Sequence, residues 1–273
     1  MRRGPAPQLV ALVLPALVVF GAFFLLPMAR LAVAAGTGPR GPAAYAAILT
    51  EPLYFKSLLS TVVVAAAVTV VTLLVAGVAG VFLQRHRFPG RSLLVAMLTF
   101  PLAFPGVVVG FMVIMLGGRQ GLVGDLSRLL TGERVVFAYS LAGLFVGYLY
   151  FSIPRVILTI MAAAEKLDGR LEEAARSLGA SGWRVVCDVI VPGLMPAIVS
   201  SGAICFATSM GAFGTAFTLA TDIDVLPMTI YTEFTLRANI AMAAALSLVL
   251  GAVTWLVLAL ARTAAGASAA AAA

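Results

Sequence analysis

Few side chains in this 273-residue chain are suited to making or breaking bonds. The one histidine, His86, lies between Arg85 and Arg87, and the two cysteines, Cys187 and Cys205, stand at no metal-ligand spacing. An intramembrane enzyme would need a nucleophile with a base, or a metal cluster, and a disulfide or zinc framework would need more cysteines. No stretch fits the phosphate-cradling pattern Gly-x4-Gly-Lys-Ser/Thr, and the only lysines are Lys56 and Lys166. What remains is a polar segment between two apolar runs: Glu173-Ala174-Ala175, then Gly179, then Val189-Ile190-Val191-Pro192. Its chemistry is that of contact, a place where a soluble partner could push on the rest of the chain.

Between residues 163 and 192 the continuous apolar pattern gives way to a helical period. Leu167, Leu171, Ala174, Ala175 and Leu178 fall on one face, with Lys166, Arg170, Glu173 and Arg176 mostly elsewhere. Asp168 stands where it would cap the helix start, and Glu172 is four residues before Arg176, the favourable order for an ion pair. Gly179 sits where a left-handed residue closes a helix without a Cβ clash. Ser181 then caps a second short helix carrying Trp183, Val186 and Val189, which Pro192 is expected to end. The small Ala174 and Ala175 permit close approach, Leu171 and Leu178 supply apolar contact, and Glu173 offers a charge to a basic surface.

The elements that must hold this segment follow from composition. The chain is 62% hydrophobic and only 11% charged, where soluble domains carry roughly 25% charged residues. Six stretches, at about 9–35, 58–83, 93–117, 135–160, 194–220 and 238–261, reach the ~20 residues that a helix needs to cross a bilayer core. None shows the period-two alternation of a barrel strand, so the fold class is all-α: a polytopic membrane bundle of six helices with a cytoplasmic hairpin. Residues 1–262 form a single membrane domain on this reading, and 263–273 a mobile alanine-rich tail. The net charge of +7 belongs to short links between spans, which makes nucleic acid an unlikely partner and membrane lipid the expected surroundings. Arg2, Arg3, Arg85, Arg87, Arg91, Arg155, Lys166, Arg170, Arg176, Arg184 and Arg262 fall on the richer side, which places both termini and the hairpin in the cytoplasm. Arg2 and Arg3 with Ala32-Val33-Ala34 mimic a cleaved secretory signal, but the long apolar run and Pro15 and Pro27 favour a retained helix.

Pathway candidates are weaker. Pro101 and Pro105, with Gly106 and Gly110, would bend the third span and could mark a gate or a packing kink. Thr208, Ser209, Gly211, Gly214 and Thr215 make a mildly polar stripe in the fifth span, suited to lining a pathway or to bonding another helix. Tyr148, Tyr150 and Ser152 read as packing residues. Residues 118–134 space Leu122, Leu126, Leu129 and Leu130 for a short amphipathic helix, and Tyr54 and Phe55 suit a membrane interface. Asp222, Asp224, Tyr231 and Glu233 gather near the outer end of the fifth and sixth spans and read as a solvated loop in preference to a site for a cation or a binding protein, and no carboxylate lies in the centre of a span.

The spacing Glu-Ala-Ala, three residues, Gly, nine residues, Ile-x-Leu-Pro marks the permease subunits of ATP-binding-cassette importers, and this chain resembles them with Val189 and Val191 as apolar replacements. Leu167-Asp168, Phe206-Ala207-Thr208 and Leu226-Pro227-Met228-Thr229-Ile230-Tyr231 are similar to the polyamine, opine, phosphonate and thiamine branch. The resemblance implies a non-enzymatic transport subunit in a bacterial inner membrane. It implies that Asp168, Leu171, Glu172, Glu173, Ala174, Ala175, Leu178, Gly179, Trp183 and Pro192 dock on a cytoplasmic ATPase, present in two copies, which alone binds ATP and magnesium. It implies further a second permease subunit, a heterodimer rather than a homodimer, an outer solute-binding protein and a small solute such as a polyamine. The runner-up, an ion-gradient-driven secondary transporter, calls for paired broken helices and buried ionisable groups, which the sequence does not display.

Overall fold

A computed structural model describes residues 7–219 and 223–271, with side-chain surroundings within 13–219 and 223–264. Every regular element among them is helical, as expected where lipid offers the backbone no hydrogen-bond partner. In chain order these are α1 (Pro7–Phe20), α2 (Leu26–Thr37), α3 (Ala43–Thr50), α4 (Pro52–Arg85), α5 (Arg91–Thr99), α6 (Gly106–Gly117), α7 (Leu122–Thr131) and α8 (Leu141–Glu165). Then come α9 (Gly169–Ser177), α10 (Gly182–Val185), α11 (Val191–Met210), α12 (Phe213–Leu219), α13 (Leu226–Tyr231) and α14 (Ile240–Ala271). Six described regions are long and apolar enough to cross a membrane: Val13–Thr37, Pro52–Arg85, Gly106–Thr131, Leu141–Glu165, Gly182–Met210 and Ile240–Ala264. The alanine-rich segment continues α14 as far as Ala271.

Two prolines are accommodated by the same device. A π-helical turn at Gly21–Leu25 precedes Pro27, and another at Val186–Ile190 precedes Pro192. Proline lacks an N–H and its ring collides with the carbonyl four residues earlier, so a turn widened by one residue lets the helical path continue. Pro192 therefore does not end the second hairpin helix, contrary to the expectation from sequence. The helical path runs from Gly182 through the wide turn into α11.

The third and fifth spans are broken rather than bent. After α5 and a 3-10 turn at Phe100–Ala103, Phe104 (φ −92°, ψ 132°) and Pro105 (φ −67°, ψ 152°) are extended before α6 begins. Pro105 disfavours helical geometry at the residue before it, and here the predicted single helix over 93–117 becomes two halves. In the fifth span the helix stops at Met210 and restarts at Phe213.

Contacts divide the chain into two compact units, the described parts of 1–55 with 229–251, and of 56–228 with 252–273. In the first unit Glu233 is 1% exposed. Its carboxylate accepts from the Tyr54 hydroxyl (3.0 Å), Arg237 (2.6 Å) and the Asn239 side chain (3.0 Å). These bonds hold Ala238 at a φ of +51°, an uncommon conformation for a residue with a Cβ. The solvated-loop expectation thus fails for Glu233, and Tyr54, 4% exposed, packs inside the protein rather than against lipid. A carboxylate this deep is retained because both of its oxygens accept hydrogen bonds. Asp222 lies outside the described residues, as do Arg2 and Arg3.

In the second unit Asp224 pairs with Lys56 at 2.9 Å, and Thr61 accepts the Leu226 N–H at 2.7 Å. The core gathers Val68, Leu144, Ile157, Ile160, Leu194 and Leu219 from α4, α8, α11 and α12. α6 and α12 cross closely: Thr215 Oγ1 donates to the Gly106 carbonyl at 3.0 Å and Thr218 Oγ1 to that of Val107 at 3.3 Å. A Cβ on Gly110 would stand 2.6 Å from Thr218 Cβ. Gly110→Leu is therefore expected to destabilise the purified protein by about 1–3 kcal/mol through overpacking. A thermal-unfolding midpoint in detergent unchanged from the parent would show that the crossing is slack.

Candidate functional site

The polar segment folds as two helices joined at a glycine. Asp168 is the N-cap of α9, its carboxylate accepting the Arg170 N–H at 3.0 Å, which satisfies one of the free donors at a helix start. At the other end Gly179 adopts φ +84°, where its N–H reaches the Arg176 carbonyl (2.9 Å) and the Ala180 N–H that of Ala175 (3.0 Å). Ser181 caps α10 by accepting the Arg184 N–H at 3.4 Å. The angle between the two helices is thus set by local bonds that the sequence itself specifies.

The two sides of this hairpin differ. Leu167 and Ala175 pack on the core, Val185 and Ile190 are buried, and Glu172 forms an ion pair with Arg85 at the end of α4. Both members of the pair are partly buried, with side-chain exposures of 26% for Arg85 and 15% for Glu172. The expected partner of Glu172, Arg176, is replaced, because the helix presents Glu172 to the body of its unit. On the other side Leu171 is 57%, Leu178 89% and Trp183 75% exposed, and Glu173 and Ala174 are exposed beside them. The single apolar face read from periodicity therefore splits: Leu167 and Ala175 anchor the helix while Leu171, Ala174 and Leu178 face outward. Pro192, exposed, stands apart in the first turn of α11.

The pathway candidates meet at the two helix breaks. Pro101 lies in the 3-10 turn and Pro105 is the N-cap residue of α6. Ser209 and Thr215 are each 1% exposed, Thr208 is half-buried with its hydroxyl on the Cys205 carbonyl at 3.0 Å, and the Ser209 hydroxyl has no partner. Tyr148 is buried and its hydroxyl donates at 2.6 Å to the carbonyl of Ala212, a residue of the fifth-span break. A cavity of about 320 Å³ opens here, lined among others by Phe104, Gly106, Phe151, Arg155, Thr208 and Thr215. Arg155 is a residue that link-by-link reading misplaced: it lies inside α8, ten residues before the helix ends at Glu165. Helix breaks and a buried carboxylate, absent from the sequence reading, are thus both present. Pro105 directly before Gly106, and Gly211 with Gly214, were the available signals for the first, and nothing marked the second.

Comparisons with known proteins agree on one family. The model of the binding-protein-dependent transport system inner membrane component matches residues 76–268. The molybdenum transport system permease protein ModB of Escherichia coli (strain K12) is 36% identical over 193 residues, which cover 68% of this chain and 81% of that protein. The sulfate transport system permease protein CysT of Escherichia coli (strain K12) is 37% identical over 164 residues, 56% of this chain and 58% of the relative. In fold, the chain is similar to one from a bacterial alginate ABC transporter crystallised with an alginate pentasaccharide-bound periplasmic protein. That match has a TM-score of 0.80 at 17% identity, over 93% of this chain and 92% of the other. A chain of the inward-facing MetNI methionine ABC transporter gives 0.62 at 17% identity, over 80% and 99%. The polyamine branch finds no support among these relatives, whose names point to molybdate and sulfate. With its six apolar spans and a match over most of its length, the chain belongs to the family of binding-protein-dependent transport system inner membrane components, the multi-pass permeases of ABC importers.

Proposed function

We propose that this permease forms half of the pathway of an importer for a small tetrahedral oxyanion, of the molybdate and sulfate class, and is driven through the Gly169–Ile190 hairpin by a cytoplasmic ATPase. The observation that carries the coupling role is the outward face of α9 and its neighbour: Leu171, Ala174, Leu178 and Trp183 are apolar, exposed and ringed by Glu173 and Arg170. Exposed apolar groups this concentrated on a short polar hairpin mark a contact surface. The names of the relatives support the solute class. Both termini and the hairpin face the cytoplasm on this reading, an outer solute-binding protein delivers the anion, and a second permease subunit closes the pathway.

The mechanism follows from how the hairpin is held. Leu167, Ala175 and the Arg85–Glu172 pair tie α9 to the inner ends of α4 and α8, while α10 runs through the wide turn into α11. Movement of the ATPase surface against Leu171 and Leu178 is therefore transmitted as rotation of α11, whose far end is the break at Gly211–Ala212. ATP and magnesium stay on the ATPase. A nucleotide state that favours one arrangement of the docked surface selects one packing of the spans.

Purified with its membrane neighbours and placed in sealed vesicles, the complex is expected to take up molybdate or sulfate only with ATP, and spermidine not at all. Uptake that ignores ATP but stops when the proton or sodium gradient is collapsed overturns the importer reading. Glu173→Lys and Gly179→Leu, the latter forcing a Cβ into a left-handed conformation that costs about 1–2 kcal/mol, are expected to lower uptake tenfold or more while the spans stay folded. Unchanged uptake in both removes the docking role. For the Arg85–Glu172 pair, a double-mutant cycle of Arg85→Gln and Glu172→Gln, read by protease cleavage within 170–184, is expected to give a coupling of about 0.5–3 kcal/mol. Strict additivity would mean that the pair does not hold the hairpin.

A further inference from the structure

We infer that Arg155 is an anion-binding residue at the middle of the translocation pathway, receiving the oxyanion in the cavity where the two broken spans cross. The inference rests on the importer and oxyanion reading above and adds to it the place where the solute pauses.

Four observations converge on this residue. First, Arg155 lies inside an apolar span, fourteen residues from Leu141 and ten from Glu165, about 21 and 15 Å from the two ends at 1.5 Å per residue. Side chains on a helix lean toward its N-terminus, here the Leu141 end and away from the nearer end, so snorkelling to the Glu165 side is disfavoured by geometry. Second, among the described residues Arg155 forms no ion pair, every pair found being made by another cation. An unpaired guanidinium at this depth must face water or a solute, because lipid tails cannot solvate it. Third, it lines the cavity with Gly106, Thr208 and Thr215, and among the described residues it is the only ionisable group there. The volume of about 320 Å³ is many times the ~10–15 Å³ that a water molecule needs. Fourth, Arg155, Thr159 and Ala162 fall on one exposed stripe of α8 that ends at Lys166, a route from the cavity toward the hairpin end of the helix.

The chemistry suits a divalent tetrahedral oxyanion. A guanidinium offers five N–H donors in a planar fork that matches two oxygens of such an ion at once. The Gly106 and Val107 N–H groups, the first two of α6, are not used within the helix, where the Pro105 carbonyl is taken by Val108 and Val109. The hydroxyl protons of Thr208 and Thr215 are spent on the Cys205 and Gly106 carbonyls. Within this chain the charge that holds the anion is supplied by Arg155, and one charge against a dianion permits binding that is weak enough for release.

The test uses the intact transporter in vesicles with saturating binding protein, with radiolabelled molybdate and sulfate as probes and the variants Arg155→Lys, Arg155→Gln and Arg155→Glu. Uptake is expected to fall at least tenfold in Arg155→Gln and further in Arg155→Glu, with Arg155→Lys recovering to within about threefold of the parent. Size-exclusion chromatography of each variant reports whether the complex assembles. Parental rates in Arg155→Gln overturn the site, and so does loss of assembly in all three variants, which would make Arg155 a structural residue. If the parent itself takes up neither anion, the oxyanion reading fails instead, so the two failures are distinguishable.

Discussion

Inside a bilayer a backbone polar group that leaves its helix must find another partner, and this constraint explains the arrangement of the chain's middle spans. Two helices are interrupted, at Phe104–Pro105 and at Gly211–Ala212, and beside each interruption a neighbouring helix supplies a hydroxyl to a backbone carbonyl. Thr215 of α12 reaches the Gly106 carbonyl at the start of α6, and the Tyr148 hydroxyl of α8 reaches the Ala212 carbonyl. The breaks are therefore not defects at separate places but one interlocked crossing. A crossing held by a few hydroxyl-to-carbonyl bonds opens at the modest cost of exchanging those bonds for water.

The hairpin shows the complementary arrangement. Its inner side is fastened by Leu167, Ala175, Val185 and the Arg85–Glu172 pair, and its outer side leaves Leu171, Leu178 and Trp183 bare. The coupling proposed for the hairpin requires a lever that is stiff where it joins the load and available where force is applied. The continuous helical path through Val186–Ile190 supplies the stiffness, since a loop there would absorb motion instead of passing it to α11.

Much of this was legible in the sequence. Composition and run length sufficed for six spans, because burying a polar group in lipid is costly enough that few alternatives survive. The caps Asp168 and Ser181 and the joint at Gly179 were readable because each depends on bonds to residues within a few positions. The rest depended on partners far along the chain. Glu172 was assigned to Arg176 by spacing, but Arg85 reaches it from 87 residues away. Glu233 looked like an outer-loop acid because Tyr54, which covers it, is 179 residues distant in sequence. Pro192 read as a stop, whereas the wide turn before it lets the helix proceed.

By itself, then, the sequence determined the number of spans, the all-helical class and the local geometry of the hairpin, since hydropathy, capping and the left-handed glycine act over distances of a few residues. Only the tertiary structure decided which face of α9 turns outward, that Gly106 and Gly214 of two broken spans line one cavity, and that Arg155 lines it from within another span. Those facts are sums over non-local contacts: a side chain's periodicity states which neighbours share its face, but not what stands opposite that face.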